Sequence, residues 1–346
     1  SAGGCLDGWQ KMMNKQQHVI VIAEVGSVHD GSFGNALKLI ETAAECGADI
    51  VKFQTHISTA ETLRDAPMPP YFKGEPRYEY FERTAFTFEQ WQQLKAHCDS
   101  LDVGFLSSPF SIQALDLLEK LDTQSYKVAS GEVTNLPLLE AMGKTRKRIY
   151  LSSGMSSWNE LDTAVETIQH FNSDLWVMQC TSAYPTPYEQ VGLNVMLEME
   201  TRYNLPVGLS DHTNTNYAAF AAVALGASVI EKHLTFSKRM YGSDAQNASE
   251  PHEFAELVQG IRAIETLLAN PVDKNDLAPY QVMKETFEKS LVALMPLPKG
   301  TVITREMIGE KKPGTGISAA RVDEYVGRKI RRDISANMLF VEDDFE

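Results

Sequence analysis

Residues 18–26 read HVIVIAEVG, an almost unbroken apolar run that ends on a carboxylate and a glycine. Near-continuous hydrophobicity over so short a stretch marks a strand covered on both faces. Seven further runs share the form: residues 48–55 (ADIVKFQT), 103–110 (VGFLSSPF), 125–132 (SYKVASGE), 149–155 (IYLSSGM), 175–180 (LWVMQC), 207–212 (VGLSDH) and 228–234 (SVIEKHL). Most are followed by a segment with apolar residues at helical spacing, such as 35–46 (NALKLIETAAEC) and 88–101 (FEQWQQLKAHCDSL). Strands that alternate with amphipathic helices imply parallel βαβ units, and eight such units close into a (β/α)8 TIM barrel. In that architecture the C-terminal strand ends, where these runs turn polar, carry the active site.

The 346 residues suffice for one barrel and a small second module. A net charge of −14 disfavours nucleic acid or an anionic membrane as a generic partner, while leaving room for a small anion held by a few local lysines. No apolar stretch reaches the roughly 18 residues of a membrane span, and residues 1–17 lack the layout of a secretion signal, so a cytoplasmic location is expected. Cys5, Cys46, Cys98 and Cys180 show no metal-ligand spacing and read as reduced, packed thiols.

The expected organisation is an N-terminal extension over 1–17, a barrel over 18–270, a linker over 271–285 and a small, mostly β module over 286–346. Residues 56–84 form too long a connection for a simple βα loop and contain Pro67, Pro69, Pro70, Tyr71, Phe72, Gly74 and Pro76, the profile of a lid or a partner contact. In the tail, residues 290–294, 297–303, 328–334 and 338–341 read as short strands. So small a module stands near the lower limit of independent folding and is expected to lean on the barrel or on another subunit.

Glu24 closes the first run, and His29 follows in a loop with Asp30 and Gly31. Lys52 and Gln54 alternate with Phe53 and so share a side of their strand. A lysine facing the barrel interior requires an anionic partner: Glu24 or Glu132 within the protein, or a phosphate or carboxylate ligand. Lys127 repeats the design in KVASGE. Two lysines with Ser107, Ser108, Ser130, Ser152, Ser153 and Ser210 supply donors suited to a phosphorylated carboxylate. His212 and His233 end the last two runs; adjacent strand ends lie about 5 Å apart, so both imidazoles can reach one divalent ion. With two protein ligands and no cysteine nearby, an exchangeable Mn²⁺ or Mg²⁺ fits better than structural Zn²⁺. Asp244 in a glycine-containing loop and Tyr184 after the sixth run can return to the same mouth.

AEVG with its downstream histidine, KFQT, SSPF, KVASGE, LSSGM, CTSAYPTPY, GLSDHT and EKHLT occur here in order, and the chain closely resembles the sialic acid synthase family from about residue 18 to its end. The Lys299-Gly300 turn and KKPGTGIS at 311–318 extend the likeness to the family's antifreeze-like (SAF) domain. The resemblance implies condensation of phosphoenolpyruvate with an N-acylated hexosamine such as N-acetylmannosamine. It implies phosphoenolpyruvate contacts at Lys52, Ser108, Lys127, Ser130, Ser152 and Ser210, and sugar contacts at Glu24, Gln54, Tyr184, Asp244 and, from the tail, Lys312. It also implies a divalent metal (Mn²⁺, with Mg²⁺ or Co²⁺ as substitutes) on His212 and His233, with Glu24, Glu132, His212 and His233 as the catalytic set, Glu132 being the acid/base candidate. A domain-swapped homodimer, the tail lying over the partner's barrel mouth, is implied as well. The chain departs from the family pattern at Val28, Ser182 and Lys312, the last standing where an arginine is usual, and the exact sugar is left open between N-acetylmannosamine and a dideoxy-diacetamido hexose of the legionaminic type. A condensation onto a sugar phosphate, and a catalytically silent carbohydrate-binding protein, are the other readings. The first is separated by whether a free or phosphorylated hexosamine is consumed, the second by binding without turnover.

Overall fold

The computed structural model describes residues 18–67, 74–172 and 174–346. The N-terminal extension with Cys5, and the middle of the long loop with Pro69, Pro70, Tyr71 and Phe72, lie outside the described residues. The chain divides into two compact units, Ser1–Asn270 and Pro271–Glu346.

In the first unit eight parallel strands close on themselves in chain order: β1 (Ile20–Gly26), β2 (Ile50–Thr55), β3 (Gly104–Pro109), β4 (Ser125–Val128), β5 (Arg148–Ser152), β6 (Leu175–Cys180), β7 (Val207–Asp211) and β8 (Val229–His233). The ring is completed by β1 pairing with β8, which sets Glu24 beside both Lys52 and His233. Helices follow the strands and start where the sequence offers a cap. Ser32, Ser111, Asn135 and Ser157 each accept a backbone N–H of the first turn, and Thr87 with Gln90 forms a reciprocal capping box.

The two-residue period of a strand sorts the side chains into layers. Outward positions such as Val21, Val51, Phe53 and Val177 join Leu39, Leu94, Leu138 and Phe254 from the helices in the main core. Inward positions build a smaller plug of Ile22, Leu106, Tyr150, Met178 and Val229. Gly208 belongs to this crowded layer: a Cβ there would stand 2.2 Å from the carbonyl oxygen of Val229. Two residues further along the same strands, each inward position becomes polar: Glu24, Ser108, Ser152, Cys180, Ser210 and Glu231. The barrel is therefore sealed below by apolar packing and open above onto polar groups.

The fourth strand is shorter than the sequence suggests. It ends at Val128, and residues Ser130–Glu132 curl into a single 3₁₀ turn, so the alternation expected through Glu132 stops at Val128. The second unit holds an antiparallel pair, β9 (Ser290–Ala293) with β10 (Ile308–Lys311), around a core that includes Leu291, Ile308, Tyr325, Phe340 and Phe345. The strands expected at 297–303, 328–334 and 338–341 are reduced to isolated bridges such as Leu297 with Ile334 and Val302 with Lys329, while β10 was not foreseen. Part of the expected linker is the short helix Gln281–Phe287. Among the described residues, no helix is long and apolar enough to cross a membrane.

Candidate active site

At the C-terminal strand ends lies a cavity of about 310 Å³, within the size range of small-ligand sites. Glu24, Lys52, Gln54, Ser108, Lys127, Ser130, Ser152, Tyr184, Ser210, His212, His233 and Asp244 all border it. Of the residues singled out in the barrel, His29, Ser107, Ser153 and Glu132 do not. Glu132, carried away by the 3₁₀ turn, is half-buried with its carboxylate accepting from Asn135 Nδ2 at 2.8 Å, and burial raises its pKa. Lys312 belongs to the second unit, where its ammonium sits 5.0 Å above the Phe287 ring.

The charges at the cavity floor were legible only in part. Lys52 has two carboxylate partners, the expected Glu24 at 3.0 Å and, instead of Glu132, Glu231 at 3.1 Å. Glu231 also meets Lys127 at 3.4 Å and Ser210 Oγ at 3.5 Å. Sequence reasoning missed Glu231, although it stands two residues before His233 and so shares its inward face. Against the upward push of burial, the ammonium groups of Lys127 and Lys52 hold Glu231 down to about 2. Glu24 behaves oppositely: burial pushes its pKa up, with Lys52 opposing. Burial lowers the pKa of Lys127, whereas Lys52 is held above its ordinary value by Glu231 and Glu24 despite the same desolvation. Two buried lysines thus face one carboxylate held ionised and one whose ionised form burial disfavours, and an anionic ligand entering here would meet both lysines.

Above it the hydroxyls converge. Ser130 and Ser152 hydrogen-bond to each other at 2.7 Å, and Ser108 Oγ is buried with no hydrogen-bond partner among the described residues. A buried hydroxyl without a partner costs on the order of 1–3 kcal/mol, a debt that a bound acceptor removes. Gly154 lets the loop after β5 close over this corner, since a Cβ there would meet Ser130 Oγ and Ser182 Oγ at 2.4 Å.

The two imidazoles stand with ring centroids 5.5 Å apart, and Tyr184 packs 4.2 Å from His212. His212 Nδ1 faces the Thr181 carbonyl at 2.9 Å, which places a proton on Nδ1 and turns Nε2 away from that contact. His233 Nδ1 is buried with no hydrogen-bond partner among the described residues, and burial lowers its pKa to about 4, so the ring is neutral. Two imidazoles at this spacing suit a shared divalent ion. No group of three or more His, Cys, Asp or Glu side chains among the described residues is arranged to hold one, so water or substrate would complete the coordination. The expectation of no cysteine nearby is overturned: Cys180 Sγ lies 3.9 Å from His212 Nδ1 and borders the cavity. Burial raises its pKa, but His212 and Lys127 outweigh that and bring it to about 6. Like Cys98, whose pKa burial pushes up to about 12, it is a free, buried thiol, but its neighbours favour the thiolate.

The histidines are braced from outside the barrel. Lys232 and Asp211, each next to a cavity histidine, form a buried pair at 2.7 Å, and Lys232 also donates to the carbonyls of Thr213 and Thr215 at 2.8 and 2.9 Å. From the loop regions, Asp244 Oδ2 accepts the Ser27 N–H at 3.0 Å. The helix Arg77–Thr84 of the long connection contributes Arg77, Tyr80 and Phe81 to the cavity wall. Sequence reasoning found none of these three.

A closed (β/α)8 barrel, with a charged cavity at its strand ends and an SAF domain matched over residues 288–346, defines the class of enzyme. The NeuB family model matches residues 39–273, and the chain belongs to that family. It is 34% identical over 331 residues to the N,N'-diacetyllegionaminic acid synthase of Campylobacter jejuni, covering 93% of this chain and 99% of that one. It is 33% identical to the human N-acetylneuraminate-9-phosphate synthase, covering 91% and 89%. Among solved structures, the sialic acid synthetase of Leptospira borgpetersenii superposes with a TM-score of 0.67 at 29% identity, covering 77% of this chain and 90% of that one.

Proposed function

We propose that the protein condenses phosphoenolpyruvate with an N-acylated hexosamine and water to give a nine-carbon 2-keto sugar acid and phosphate. The observation that carries this reading is the convergence of Lys52 and Lys127 on Glu231 beneath a ring of serines, one of which, Ser108, is buried without a partner among the described residues. That arrangement suits a phosphorylated carboxylate. The acceptor is N-acetylmannosamine or, as the relative from Campylobacter suggests, a dideoxy-diacetamido hexose.

A divalent ion held by His212 and His233 would supply Lewis-acid polarisation of the acceptor's carbonyl oxygen. Lys52 and Lys127 hold phosphoenolpyruvate, with Ser108, Ser130, Ser152 and Ser210 donating to its oxygens. Gln54, Tyr184 and Asp244 orient the acceptor so that its aldehyde carbon meets C3 of phosphoenolpyruvate. As that bond forms, Glu24, which borders the cavity, acts as the acid that protonates the aldehyde oxygen. The anionic Glu231 stabilises the cationic character that develops at C2. Water then adds at C2 and returns a proton to Glu24, and the tetrahedral adduct releases phosphate by C–O cleavage. Glu132, the acid/base candidate of the sequence reading, does not border the cavity, so the proton transfer falls to Glu24. Lys312 joins the site from the tail of a partner protomer in a swapped homodimer; sedimentation of the intact chain against one truncated near Tyr280 tests that arrangement.

The function is tested by measuring phosphate release from phosphoenolpyruvate with Mn²⁺ and a panel of free N-acetylmannosamine, its 6-phosphate and a dideoxy-diacetamido hexose. Turnover with one acceptor supports the reading and fixes the sugar. Acceptor binding without phosphate release would make the protein a silent carbohydrate binder.

A further inference from the structure

One wall of the cavity holds a histidine that no step above uses. His56 stands two residues beyond Gln54 and is buried. Its ring is clamped between Phe81 and Phe110, at centroid distances of 3.6 and 4.0 Å and within 23° and 21° of parallel. The clamp leaves only the ring edge for polar contact, and both nitrogens are engaged. Nδ1 meets Glu61 Oε1 at 2.7 Å, and Nε2 meets Gln54 Oε1 at 3.0 Å. The other oxygen of Glu61 accepts the Ile57 N–H at 3.1 Å, so the carboxylate is itself fixed. Gln54 passes the chain inward, its Nε2 donating to Glu24 Oε1 at 2.8 Å, and Glu24 Oε2 ends it on Lys52 at 3.0 Å.

We infer that His56, fixed by Glu61, is a positioning residue that sets the Gln54 amide and, through it, the Glu24 carboxyl. The reason lies in the amide. Its two ends have nearly the same shape and opposite hydrogen-bond sense, so shape alone does not choose between them. The imidazole chooses: a ring N–H takes the carbonyl and a bare ring nitrogen takes the NH₂. Whichever end His56 takes, the other is turned toward Glu24. A carboxylate bound to one nitrogen of an imidazole is the usual means of fixing its ring. Here the fixed ring acts on an amide that borders the cavity. Without it, Gln54 can rotate and present the wrong end to Glu24.

The inference that the acceptor sugar feels this rests on the function proposed above. His56→Phe retains the aromatic stack and removes both nitrogens. Its expected signature is a rise of about tenfold in KM for the acceptor, the cost of one misdirected hydrogen bond, with KM for phosphoenolpyruvate changed less than twofold. His56→Gln, which returns an amide edge near the position of Nε2, recovers part of the loss. In a Gln54→Leu background His56→Phe has no further effect. Equal changes in both KM values, or effects of His56→Phe and Gln54→Leu that multiply, would overturn the assignment. A version free of substrate keeps it separate from the proposed reaction. The thermal midpoints of His56→Phe and Glu24→Gln are non-additive when Gln54 is present and additive when it is leucine. Additivity in both backgrounds ends the proposal even if an acceptor is consumed, and the expected pattern upholds it even if none is.

Discussion

Replacing Glu231 by glutamine tests the charge arrangement at the cavity floor without any assumption about turnover. The side chain is 4% exposed and lies within 3.1 Å of Lys52 and 3.4 Å of Lys127. At an effective dielectric constant of about 20, each attraction amounts to roughly 5 kcal/mol before the desolvation of the ions is subtracted. Removing one partner of a buried ion pair typically costs about 3–5 kcal/mol, because the other charge stays behind uncompensated. Here two lysines stay behind with only Glu24, which meets Lys52 at 3.0 Å, as a remaining carboxylate partner. For a unit of this size that loss corresponds to a fall in Tm of about 6–20 °C. An anion binding between the lysines replaces the missing charge, so inorganic phosphate should raise the Tm of Glu231→Gln more than that of the unaltered protein. The assay is differential scanning calorimetry with and without phosphate. A variant that melts within about a degree of the parent, or equal phosphate shifts in the two proteins, would show that Glu231 does not compensate these lysines.

Other outcomes follow from the same structure. His233→Ala should lose most of its Mn²⁺ affinity, read by electron paramagnetic resonance of the free ion in the absence of substrate; unchanged affinity would remove the metal from the two imidazoles. Lys232→Met should cost about 3–5 kcal/mol in urea unfolding, whereas the double change Lys232→Met with Asp211→Leu should recover a large part of it, because no buried charge is then stranded. His29, packed against Phe86 at 4.5 Å, has its pKa lowered by burial from 6.5 to about 4. Between those values the unfolded chain takes up a proton that the folded chain refuses, so stability falls as pH drops through that window, by about 3 kcal/mol at its lower end. In His29→Gln that contribution to the pH dependence of unfolding should vanish, and an unchanged slope would refute it.

The barrel itself was written in the order of the residues. Eight buried-strand runs, separated by helical periodicity, admit little else, and strand alternation assigns Lys52, Gln54 and Lys127 to the inside from local pattern alone. The same alternation would have found Glu231 from His233, Cys180 from Met178 and His56 from Gln54, had it been followed along every run. Other features were beyond it. Strand β4 stops at Val128 because the chain curls into the Ser130–Glu132 turn, and that turn removes Glu132 from the cavity. Arg77 and Phe81 reach the site from a helix within the long connection, and Asp244 from a loop after the last strand. Sequence fixes which face of a strand a side chain occupies, since that depends on a two-residue period. Which carboxylate meets which ammonium depends on strands that are neighbours only after the ring closes, so Glu231 could be matched to Lys52 and Lys127 by the tertiary structure alone.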